Sequence, residues 1–211
     1  MELIVSSIVT AIVNLIVFSF IPLIWWFITH RKETHFFKWL GFYIPKLKSK
    51  WWVLAIFAVL YYFFYNFDFT QLVDNETLEY IQSSSAISAN VFTSIGASAI
   101  IPAFIQNFIA NGVSEEILYR GFLCKRLCSK FGTMQGIIIQ AVLFGLMHNI
   151  LYIVAGLNVG ICYHTLTFVF TGMGALLLGV LNEKIYNGSI IPSIILHGAG
   201  NFIATMILAF G

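Results

Sequence analysis

Charge is what this sequence has least of. Only 9% of its 211 residues are Asp, Glu, Lys or Arg, while 59% are hydrophobic and the mean hydropathy is +0.89. A soluble domain carries about 25% charge, so a water-facing surface of ordinary size cannot be built from this composition. That excludes a soluble Rossmann or barrel enzyme, and a net charge of +2 gives no basic footprint for nucleic acid. Cysteine is scarce as well. Three residues cannot staple a secreted disulfide scaffold, and Cys124 and Cys128, four apart with no further ligands beside them, make a poor metal site. No role is assigned to them or to Cys162.

What the sequence has in abundance is long apolar runs. A helix crossing a hydrocarbon core of about 30 Å uses roughly 20 residues, so the chain has room for six spans, with seven as the alternative. The runs lie at Leu3 to Thr29, Trp51 to Phe67, Val91 to Ala110, Ile137 to Ala155, Ile161 to Leu181 and Ile190 to Phe210. The expected fold is an all-α polytopic transmembrane bundle forming a single membrane domain. Residues 1–110 would supply the N-terminal helices and a basic loop at 30–50, and residues 111–211 the helices that carry the chemistry. The segment Ala86 to Pro102 is rich in Ser, Ala and Gly and ends in a proline that interrupts helical hydrogen bonding. It reads as a separate short or re-entrant helix.

The charges give an orientation, because Lys and Arg are retained on the cytoplasmic side. Arg31, Lys32, Lys38, Lys46, Lys48 and Lys50 share the first polar loop. Arg120, Lys125, Arg126 and Lys130 follow the third span, and Lys184 precedes the last, which accounts for all 11 basic residues. The loop from Asp68 to Ser85 holds Asp68, Asp74, Glu76 and Glu79 with no basic residue. Six spans place every basic loop on one face and this acidic loop on the other, with both termini outside. The first apolar run has no basic leader or cleavage site and reads as a retained helix. Trp25, Trp26, Trp39, Trp51 and Trp52 cluster around the basic loop as interfacial anchors. The sequon Asn75-Glu76-Thr77 is too short a pattern to assign a role.

Ionisable groups inside a bilayer cost at least a few kcal/mol each and are functional candidates by default. Three sets stand out: Ser114 to Gly121, Phe144 to Asn149, and His197 to Asn201. Glu116 and Arg120 are four apart and share a helix face, so the guanidinium can neutralise that carboxylate. Glu115 is turned about 100° away and has no basic residue three or four positions to either side. It is the carboxylate left free to act as a general base. His197 and Asn201 project from one face, and Phe144 is spaced to pack against His148. Gly172, Gly174, Gly179, Gly198 and Gly200 allow close helix approach. The residues expected to converge are Glu115, His148, His197 and Asn201, whereas His164 reads as structural, and His30 and His35 belong to the basic loop. Shared chemistry requires Glu115 to lie within about 8 Å of at least one of His148 and His197, bridging through one water at most. By the helical rise, His148 comes out deeper, at about 15 to 20 Å from the cytoplasmic edge against about 10 to 15 Å for Glu115 and His197. Either the segment Lys130 to Gln135 dips into the membrane or the helices tilt around a polar cavity open to the cytoplasm.

Glu-Glu-x-x-x-Arg at Glu115, Glu116 and Arg120, Phe-x-x-x-His at Phe144 and His148, and His-x-x-x-Asn at His197 and Asn201 resemble, in that order, the signatures of the CPBP family of intramembrane proteases. This family contains the CAAX prenyl endopeptidases and the bacterial Abi, or bacteriocin-processing and immunity, proteins. The resemblance runs from about Asn111 to the C-terminus. It implies an endopeptidase of a bacterial cell membrane acting on a small membrane-associated peptide or protein. Glu115 would activate water with help from His148, and His197 and Asn201 would hold the oxyanion. Glu116, Arg120 and Phe144 would be structural support. Glu115, His148 and His197 are also a candidate zinc set, and the sequence leaves open whether the family's metallo- or glutamate-type chemistry applies. The runner-up is a non-catalytic membrane partner that confers bacteriocin immunity or regulates a peptide exporter or sensor kinase. A proton or ion path using the same polar residues comes third. The implied partners are the lipid bilayer and the peptide substrate, with no nucleic acid.

Overall fold

The computed structural model describes residues 1–45, 50–65, 67, 72–84, 87–157 and 159–211. The expected loop positions Lys46, Lys48, Asp68, Ser85 and Ala86 lie outside the described residues. Within them the chain is helical, without a strand. The helices are α1 (Glu2–Thr29), α2 (Phe36–Leu40), α3 (Trp51–Tyr65), α4 (Asn75–Ser83), α5 (Ile100–Phe104), α6 (Ser114–Glu116), α7 (Lys125–Phe131), α8 (Thr133–Val154), α9 (Ile161–Val180) and α10 (Ile191–Phe210). Among the described residues, four helical stretches are long and apolar enough to cross a membrane: α1, α8, α9 with its extension to Ile185, and α10. The second expected span is a shorter apolar helix, α3.

The third expected span differs in extent. Residues 90–92 and 96–99 form short 3₁₀ turns, and regular helix begins only at Ile100. Pro102 therefore falls in the first helical turn, where its missing N–H costs little. From there α5, a π-helical segment Ile105–Val113, α6, a second π segment Ile117–Cys124 and α7 run end to end as one rod over residues 100–131. Wide i→i+5 turns of this kind are rare and concentrate at functional sites.

The rod is the centre of the bundle. Helices α1 and α10 both pack against its first π segment, α8 packs on α7 and on the second π segment, and α8 and α9 form an antiparallel pair. Helix α1 fully buries Ser7, Ala11 and Pro22, packs Leu15, Phe18 and Trp26 partly against the core, and exposes most of its remaining apolar side chains, as lipid contact requires. The Asn14 amide fastens it to the rod by donating to the Ala110 carbonyl at 2.9 Å.

Two glycines make the close approaches possible. A Cβ on Gly198 would lie 2.5 Å from the Phe108 ring, and one on Gly136 would lie 2.3 Å from the Cys128 backbone nitrogen. The second contact belongs to the α7–α8 corner, where Gly132 at φ 92° turns the chain within a single residue. Helix α8 thus starts at Thr133, four residues before the expected Ile137, and the stretch Lys130 to Gln135 is a helical corner in place of a loop.

The end of the bundle that carries the basic residues is laced together by backbone and charge. Ile190 N–H donates to Gly41 O at 3.0 Å, Ser189 Oγ to Tyr43 O at 2.6 Å, and Tyr43 Oη to Asn187 O at 2.6 Å. Lys125 Nζ binds Glu183 at 2.8 Å and Gly188 O at 2.6 Å. At the acidic end, Asp74 caps α4 by accepting the Thr77 N–H at 2.8 Å and hydroxyl at 2.9 Å. Thr77 of the sequon is thereby buried in a cap.

Candidate active site

The short α6 between the two π segments presents Glu115 and Glu116 in different directions. Glu116 is fully buried and Arg120 is 1% exposed; Arg120 Nη1 lies 3.0 Å from Glu116 Oε1. The same Oε1 accepts the Nδ1–H of His197, also at 3.0 Å, from α10. A carboxylate can only accept there, so Nδ1 carries the proton and Nε2 is the end directed away from Glu116. Glu115 lies on that side, with Oε2 3.9 Å from His197 Nε2 and its side chain 21% exposed. Glu115 and one of the expected histidines therefore lie well inside the 8 Å limit. Glu115 Oε2 has no hydrogen-bond partner among the described residues.

Phe144 organises the remaining groups. Its ring packs edge-on to Tyr119 at 4.8 Å, carries the Arg120 guanidinium at 4.4 Å, and meets the His197 ring at 6.2 Å and the His148 ring at 4.7 Å. His148 Nδ1–H donates to the Phe144 carbonyl at 2.9 Å, which fixes its tautomer and leaves Nε2 as the lone-pair end. His148 is half-buried, and among the described residues it makes no hydrogen bond or ion pair to Glu115 or His197. Asn201 is partly buried one turn beyond His197, and its carbonyl accepts the Thr205 hydroxyl at 2.8 Å. The structure therefore joins Glu115, Glu116, Arg120, Phe144 and His197 directly, with His148 and Asn201 one helical turn outward. His164 pairs with Asn149 across α8 and α9, its Nδ1–H donating to Asn149 Oδ1 at 3.2 Å while its carbonyl accepts the Asn149 amide at 2.9 Å. That is the structural role expected of it.

A catalytic zinc takes three protein ligands at about 2 Å. Among the described residues no three His, Cys, Asp or Glu side chains are gathered as such a set, so the donors do not fit zinc in this arrangement.

Three contributors escaped the spacing argument. Tyr119 is buried beside Phe144. Ser193, one turn before His197 on α10, faces Glu116. Asn182, in a third π segment Leu181–Ile185, donates to Ser193 Oγ at 2.7 Å. Ser193 was legible as a third member of the face Ser193, His197, Asn201. Nothing in the sequence signalled Asn182.

Residues 97–203, about half of the chain, match the family described as type II CAAX prenyl endopeptidase Rce1-like. No curated protein and no solved structure matches the chain.

Proposed function

Because the chain belongs to the Rce1-like type II CAAX prenyl endopeptidase family, a protease family, we propose that it is an intramembrane endopeptidase that cleaves a small membrane-associated peptide or protein. The observation that carries this reading is the pairing of a half-buried carboxylate with an oriented imidazole. Glu115 Oε2 faces His197 Nε2 at 3.9 Å, while Glu116 holds the other nitrogen at 3.0 Å. The gap between Glu115 and His197 suits a water or a substrate oxygen that both groups can touch.

In the proposed reaction, Glu115 takes a proton from water as the water attacks the scissile carbonyl. His197, anchored through Nδ1 on Glu116, presents Nε2 to the reacting centre, and in its protonated form donates from there to the developing oxyanion. Asn201, on the same face one turn away, supplies a second donor. His148, with its lone pair at Nε2, orients the water. Glu115 finally passes its proton to the departing amine, so that hydrolysis leaves a carboxylic acid and an amine. Arg120 and Phe144 hold Glu116 in place. In this reading the site opens toward the cytoplasm, supported by the basic residues at the Glu183 end, and residues 111–211 carry the chemistry.

The test is proteolysis by the purified chain in lipid vesicles, offered membrane peptides and read by mass spectrometry for new termini. Cleavage by wild type and its loss in Glu115→Gln, with the variant still folded, supports the reading. If wild type binds peptides without cutting them, the non-catalytic partner is the correct account.

A further inference from the structure

The Glu116 carboxylate is asymmetrically used. Oε1 receives both Arg120 and His197, whereas Oε2 is buried and accepts no hydrogen bond among the described residues. The terminal torsion of a glutamate is broad and roughly two-fold, so contacts to Oε1 alone leave the position of Oε2 to be set by a further group. The group beside it is Ser193, fully buried, whose hydroxyl donates to the Ile190 carbonyl at 2.9 Å. Asn182, also fully buried, donates to Ser193 Oγ at 2.7 Å, and its own Oδ1 has no partner. With one lone pair of Oγ taken by Asn182, the Ser193 proton is directed to the Ile190 carbonyl, and Glu116, which Ser193 also contacts, is the alternative acceptor.

We infer that Asn182 and Ser193 form a positioning couple that holds the second oxygen of Glu116 and thereby fixes which nitrogen of His197 faces Glu115. The couple spans the third π segment and the first turn of α10, so it ties the end of the α9 span to the helix that carries His197. Three observations support it. Both side chains are completely removed from solvent, where an amide is retained only against a cost unless its hydrogen bonds matter. Ser193 and His197 share one face of α10. Asn182 lies in the widened turn Leu181–Ile185 and reaches Ser193 from there at 2.7 Å. Neither residue touches the reacting atoms, so both are positioning residues. The inference rests on the proposed chemistry of Glu115 and His197.

The experiment uses the full chain in lipid, with two readouts on Ser193→Ala, Asn182→Ala, the double variant and Ser193→Thr. The first is steady-state peptide cleavage. Both single variants should lose about 10- to 100-fold in kcat, the effect of one hydrogen bond to a charged group, with KM unchanged. The double variant should be no worse than the poorer single, because Asn182 acts through Ser193, and Ser193→Thr should recover most of the rate. The second is the ¹⁵N spectrum of the His197 ring at alkaline pH, which does not depend on turnover. Wild type should hold the Nδ1–H tautomer, and the two Ala variants should show a mixture with Nε2–H. Where Ser193→Ala does not accumulate folded, Asn182→Ala carries the same test, since it leaves the hydroxyl present but undirected. A wild-type tautomer in the Ala variants overturns the inference, whether kcat is unchanged or falls together with an altered KM. A shifted tautomer in a protein that cleaves nothing upholds the couple and refutes the protease reading.

Discussion

Replacing Arg120 by Leu leaves the Glu116 carboxylate fully buried without its guanidinium partner. The pair lies in a region where Arg120 is 1% and Glu116 0% exposed, so water cannot screen the orphaned charge. Breaking a buried ion pair from one side costs about 3–5 kcal/mol. The cation–π contact with Phe144 at 4.4 Å is lost at the same time, which pushes the cost toward the upper end. For a chain of this size each kcal/mol lowers the melting temperature by about 2–4 °C, giving an expected drop of about 6 to 20 °C. The assay is thermal unfolding of purified variants in one detergent, with folded yield measured alongside. The informative comparison is the double replacement Glu116→Leu with Arg120→Met. Removing both charges should restore most of the melting temperature, while His197 loses its acceptor and cleavage is lost. A drop of less than 2 °C for Arg120→Leu would mean that the pair is solvated, and would refute the assignment of Glu116 as a buried structural anion.

Gly136→Ala should destabilise strongly, since its Cβ meets backbone at 2.3 Å, whereas Gly172→Ala, with its nearest atom at 3.4 Å, should be close to neutral; melting temperatures decide between them. At the acidic end, the hydrogen bonds from Thr77 hold the Asp74 carboxyl below its ordinary range. The cap's contribution is therefore present above the unfolded Asp value and is lost as pH falls through the lower folded value, so α4 amides should exchange faster in strong acid, and at neutral pH in Asp74→Ala. Because the zinc candidates are not gathered as a three-ligand set, the purified protein should hold well under one zinc per chain, unchanged in His148→Ala; one zinc lost on replacing His148 or His197 would contradict this.

The sequence made the membrane class and the Glu116–Arg120 pair legible because both depend on short-range regularities: hydropathy over about 20 residues and a spacing of four. That spacing survives the change from α to π winding, since in either case a residue four positions on returns nearly to the same face. The start of the rod was not legible, because Val91 to Ala99 is apolar enough to read as span while its backbone forms 3₁₀ turns. The link between Glu116 and His197 is invisible to periodicity, as the two are 81 residues apart and meet only once α10 packs on the rod. The same holds for Asn182, whose π segment no composition signal announces.

The central claim is that Glu115 is the general base, and the most direct measurement is the peptide-cleavage rate of Glu115→Gln against wild type in the same lipid, with folding of both verified by thermal unfolding. Loss of a general base removes about 10²- to 10⁴-fold in rate, so the variant should retain at most about one hundredth of the wild-type kcat while melting within a few degrees of it. A folded Glu115→Gln that cleaves at the wild-type rate would contradict the account.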